Sequence, residues 1–133
     1  MKAQKKLWFT LIVAALVFVT VACSCGSLSN LGLGGSPEPM TGLAGTWLDS
    51  YENTTHTITW NGSAYSVSSN NAERGNYSVS DVSWDGSTFT WTYYVAQNDV
   101  YVTIQAYQID GDYMYLNWWS TNDNSGQDTF YRQ

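Results

Sequence analysis

Basic side chains nearly vanish from this chain after its first six residues. Lys2, Lys5 and Lys6 stand at the start, and beyond residue 22 only Arg74 and Arg132 oppose all 11 acidic side chains, a net charge of roughly −9 for that part. Binding nucleic acid or docking on anionic headgroups needs clustered Lys and Arg, so neither is open to it. Cysteine is as scarce. Cys23 and Cys25 are the only two, which denies the region beyond them a disulfide framework and thiol chemistry. There is one histidine, His56, and both prolines, Pro37 and Pro39, fall before residue 44. After Ala44 no window shows apolar residues at a 3.6-residue period, which excludes amphipathic helices there. At 133 residues the chain has room for one domain. Its 44% hydrophobic content excludes compositional disorder, although 12% charged is well under the usual share.

Residues 1–22 combine a basic start with the uncharged run Leu7 to Ala22, 16 residues long. That is short for a spanning helix of about 20 residues, and it ends in small residues, as a secretion signal does. Val19-Thr20-Val21-Ala22-Cys23 resembles the bacterial lipobox, with Thr20 where the commonest form has Leu. The resemblance implies that Cys23 is acylated and becomes the mature N-terminus, held in a cell-envelope membrane on its extracytoplasmic side. An ordinary cleaved signal and an uncleaved anchor are the alternatives. Two or three acyl chains suffice for stable anchoring, so the membrane partner needs no basic patch. Residues 23–43 are rich in Gly and Ser and hold both prolines. Such a composition cannot bury enough apolar surface to order itself, which predicts a flexible, lipidated tether ahead of a domain over 44–133.

That domain reads as an all-β meander. His56, Ile58 and Trp60 alternate with Thr55, Thr57 and Thr59 before Asn61-Gly62, a pair that favours a type I′ turn with positive φ at both positions. Tyr65 and Val67 follow, then Tyr77 and Val79, whose parity is opposite to that of Val82 and Trp84. The shift predicts a bulge near Ser80-Asp81. After Asp85-Gly86 come Phe89, Trp91, Tyr93 and Val95, then Val100, Val102, Ile104 and Ala106, then Met114, Leu116 and Trp118. A polar loop from Thr121 to Gly126 leads to a last strand over 128–132. With 45–50 as the first strand there are eight in up-and-down order. Closure into a small antiparallel barrel removes the wet face and the open edges of such a sheet; a two-layer sandwich is the alternative.

Gly45-Thr46-Trp47 opening the first strand is similar to the Gly-x-Trp opening of the calycins, the lipocalins, fatty-acid-binding proteins and avidins. The resemblance implies that Trp47 closes the base of the barrel, with Arg132 from the last strand packed across its indole and Gly45 beside them.

The residues beyond Ala44 hold 18 aromatic side chains. Facing inward, they either fill a narrow barrel or line a cavity with apolar walls and few polar tips. In the second case Trp60, Tyr65, Trp91, Tyr93 and Trp118 bound a ligand site, with His56 as its polar anchor. Outward, Tyr113, Tyr115 and Trp119, with Tyr101 and Tyr107, make a ribbon suited to sugar rings or a protein partner, or simply to cross-strand pairing. Catalysis is not expected, because His56 has no partnered nucleophile in the pattern and Glu52 and Glu73 fall in loops. The oxygen-rich stretch 122–128 lacks the order of a calcium loop, so neither metal nor cofactor is expected. The expected function is a non-enzymatic, lipid-anchored barrel binding a small apolar or amphipathic ligand. The alternative is a cell-surface interaction or carbohydrate-binding protein acting through the outer ribbon.

Overall fold

In a computed structural model of the protein the described residues are 35–133. Residues 1–34, and with them the signal, Cys23, Cys25 and most of the expected tether, lie outside that range. Eight strands follow in order: β1 (Gly45–Asp49), β2 (Thr54–Trp60), β3 (Tyr65–Asn71), β4 (Gly75–Trp84), β5 (Phe89–Val95), β6 (Val100–Asp110), β7 (Tyr113–Ser120) and β8 (Ser125–Arg132). Each is antiparallel to its neighbours, and β1 pairs with β8 to close the barrel.

Period-two alternation decides which side chains go in. Trp47, Ile58, Phe89, Trp91, Ile104, Ala106, Met114, Leu116 and Phe130 form the core, while the Thr and Ser residues between them mostly face water. The parity change in β4 is a bulge: the β4–β5 register shifts between Ser80 and Ser83, and Asp81 takes φ 53°. A second register shift, between Ala106 and Gln108 in β6, turns Ile109 inward after Tyr107. Nothing in the alternation had called for it.

Three expectations change. Asn61-Gly62 is not a type I′ turn, since Gly62 has φ 95° and Asn61 has no positive φ. Instead Asn61 Oδ1 accepts the amides of Ser63 and Ala64 in a longer loop, and Asp85 does the same for Ser87 and Thr88. A Cβ on Gly62 would also collide with the backbone of Gly35, so this glycine is needed twice over. The last strand starts at Ser125, three residues before the expected Asp128. Finally, the compact unit begins at Gly35. The expected 23–43 tether therefore loses residues 35–43, which pack on the barrel through the fully buried Leu43.

Candidate functional site

The base carries the 35–44 segment and the loops after β2, β4 and β6. Trp47 is fully buried and donates its indole N–H to the Leu43 carbonyl at 2.8 Å. The Arg132 guanidinium lies 4.2 Å above the indole ring and donates to the carbonyls of Gly42 and Ala44. Gly45 permits this crossing, because a Cβ there would overlap the guanidinium. Glu38 accepts the amides of Gly42 and Ala44, one on each carboxylate oxygen. Gly45, Trp47 and Arg132 thus meet at one end of the barrel, which they seal.

The six residues expected to bound a ligand site are not gathered around one cavity, although His56 packs against Trp91 and Tyr93 at 5.4 Å each and Trp60 against Tyr65 at 4.8 Å. Trp60 and Tyr65 stand near the base, where the Trp60 indole donates to the Ser36 carbonyl and the Tyr65 hydroxyl accepts the Met40 amide. His56 and Trp91 are fully buried in the packed middle. His56 stacks on Phe130 at 5.0 Å, shares a hydrogen bond with Ser69 at 2.8 Å, and has its pKa pushed down to about 3 by burial. His56 does not line the cavity at the mouth of the barrel. His56 Nε2 and Trp91 Nε1 are buried without a hydrogen-bond partner.

Tyr93 and Trp118 instead belong to a cavity of about 690 Å³ at the opposite end, the mouth, among the loops after β1, β3, β5 and β7. Its apolar floor includes Phe130, Ile104 and Val102. Around it stand Tyr77, stacked on Tyr93 at 5.3 Å, and the carboxylates of Asp49, Glu52 and Asp128, with Arg74 the one basic side chain of the lining. Asp49 Oδ1 accepts the amides of Tyr51 and Glu52 at 2.9 and 3.0 Å. Burial, and then Asp128 and Glu52, push the Asp49 carboxyl above its ordinary range despite those bonds. Asn71 ties the next loop to this one, donating to the Glu52 carbonyl and Thr54 Oγ1 and accepting the amides of Glu73 and Arg74. The rim is therefore held in shape by its own hydrogen bonds.

Asp49, Glu52, Tyr77 and Asp128 had not been singled out as site residues. Parity could have found two of them, since Asp49 lies two residues from inward Trp47 and Asp128 two from inward Phe130. Tyr51, 87% exposed on the rim, carries no such signal. Outside, Tyr113 and Trp119 are exposed and Tyr115 is half-buried. Between these aromatics runs a ladder of amides, Gln127 to Asn117 at 3.2 Å and Asn117 to Gln105 at 3.4 Å. Among the described residues no group of three or more His, Cys, Asp and Glu side chains could hold a metal ion. No protein-family model matches the chain, and no curated protein or solved structure matches it either.

Proposed function

We propose that this protein is a non-enzymatic binding barrel of calycin type, held on the outer side of a bacterial envelope membrane by lipid on Cys23, that takes a small amphipathic ligand in its mouth. The observation that carries this reading is the cavity of about 690 Å³, with Phe130, Ile104 and Val102 among its walls and a rim rich in polar and charged side chains. Ligand sites of drug-sized molecules have about this volume, and the mixture of apolar walls with a polar rim suits an amphipathic occupant. The core beneath is packed with aromatic side chains, so the site is confined to one end. His56 is neutral and shut away from the cavity, which supports binding rather than acid–base chemistry.

Metabolic labelling with a fatty-acid probe, paired with tryptophan quenching by a small apolar fluorophore, tests both halves. Label should be lost in Cys23→Ala, and quenching should fall in Trp118→Phe. Label retained in Cys23→Ala overturns the anchor, and quenching unchanged in Trp118→Phe moves the site out of the mouth. A second reading draws on the outer face, where Trp119 and Tyr113 flank the Asn117 amide ladder without any charge among those side chains. Aromatic faces beside paired amide donors and acceptors suit a glycan chain. Polysaccharide retention lost in Trp119→Ala, with mouth quenching unchanged, would favour it.

A further inference from the structure

Resting on the mouth-binding reading, we propose that the ligand is a small organic cation, an amine or quaternary ammonium on a flat apolar body. Its charged head sits against the Asp49 carboxylate, in a cavity whose walls include the aromatic rings of Tyr77, Tyr93 and Trp118.

Asp49 is 5% exposed, and both of its hydrogen bonds to backbone amides fall on Oδ1. Its second oxygen has no hydrogen-bond partner among the described residues, yet the side chain lines the cavity. Tyr93 is 3% exposed and lines the same cavity, and its hydroxyl likewise has no partner there. Both oxygens face the cavity without a partner among the described residues and are open to water there, so a ligand that displaces this water has to supply a donor, because an acceptor left unmet on desolvation costs free energy. Asp49 is also held in place by its own loop, so little freedom is lost when it binds.

The sign of the donor follows from the surroundings. Three carboxylates line the cavity against Arg74, which is exposed on the rim beside Glu73 and the Tyr77 hydroxyl. Burial first, and then the fields of Asp49, Glu52 and Asp128, push the Tyr93 phenol up. Aromatic faces add to the same preference, since a cation over Tyr or Trp is attracted by the ring quadrupole. A bare metal ion lacks the clustered ligands it would need among the described residues. The floor of Phe130, Ile104 and Val102 asks for an apolar body behind the charge. A fatty carboxylate or a phosphate would meet like charge at Asp49.

Full-length protein in phosphatidylcholine nanodiscs, with empty discs as reference, should be titrated by calorimetry with benzyltrimethylammonium, its uncharged isostere neopentylbenzene and the anion phenylpropanoate. The cation should bind about tenfold more tightly than the isostere. Asp49→Asn should remove that margin and Asp128→Asn should narrow it, with neither variant melting below the wild type, so that a lost margin is not a lost fold. Equal affinity for cation and isostere, a margin unchanged in both variants, or preference for the anion overturns the cation assignment and leaves the mouth as a binding site. Binding of none of the three overturns the mouth-binding reading as well.

Discussion

The two ends of this barrel use similar parts for opposite purposes. At the base, Arg132 gives its donors to carbonyls and its face to Trp47, while Glu38 uses both oxygens on backbone amides. At the mouth, Asp49 uses one oxygen and leaves the other open, and the only basic side chain of the lining is exposed on the rim. A barrel of alternating strands has no inherent top or bottom. Polarity comes from which end has its charges answered from within. The answered end is closed and apolar around a buried indole, and the unanswered end retains a cavity.

Trp47→Ala is expected to break that contrast most completely. The β1–β8 seam has only two paired positions, Trp47 with Arg132 and Leu48 with Tyr131, where β7 and β8 share seven. The indole and the guanidinium across it therefore hold the seam as much as the backbone ladder does. Removing a buried Trp costs about 3–5 kcal/mol, a large share of the roughly 5–15 kcal/mol that holds a typical domain folded. Denaturant unfolding should show the loss. A cost below about 1 kcal/mol would mean that the base does not depend on this residue.

The packed middle gives the next effect, through pH. His56 is pushed down to about 3 in the folded barrel and returns to 6.5 when unfolded. The unfolded chain takes up its proton first, so the stability tied to neutral His56 is complete above pH 6.5 and is lost as pH falls toward 3. By pH 4.5 the loss should reach about 3 kcal/mol, at 1.36 kcal/mol per pKa unit. Asp49 works in the opposite direction, because its raised carboxyl is protonated first in the folded state. Comparing the wild type with His56→Gln isolates the histidine: the variant should be less stable at neutral pH and flatter between 6.5 and 4.5. Parallel profiles would mean that His56 is not buried as described.

Strand count, order and the β4 bulge were legible because they are local. A change of parity at Ser80-Asp81 is visible in four neighbouring letters. Depth along the barrel axis was not legible. His56, Trp60, Tyr93 and Trp118 all point inward, yet they sit at the base, the middle and the mouth, because depth depends on the register of strands far apart in sequence. Asp49 and Asp128 are inward by parity, but a lone acid at an inward position carries no sign of a cavity in the sequence, because the space beside it is set by residues from other strands. Residues 35–43 look like linker by composition. Their order comes from partners such as Gly62, Tyr65 and Arg132, which no local window contains.

The smallest expected effect sharpens the comparison of the two ends, because the same chemical change should act with opposite sign. Glu38→Gln and Asp49→Asn each replace a carboxylate by the amide of equal size. Glu38 accepts one backbone amide on each oxygen, so glutamine can satisfy one and must turn its own N–H toward the other donor. That mismatch should lower stability by about 1–2 kcal/mol. Asp49 accepts both amides on Oδ1, which asparagine retains in full. It loses a charge that burial and the neighbouring Asp128 and Glu52 disfavour, so the variant should melt slightly higher than the wild type at neutral pH. Near pH 3, where the carboxyl is already protonated, that gain should shrink. Thermal melts of both variants at the two pH values check the pair. A loss of stability in both would make Asp49 a structural carboxylate like Glu38, and the mouth would no longer differ from the base in having a charge left for something outside the chain.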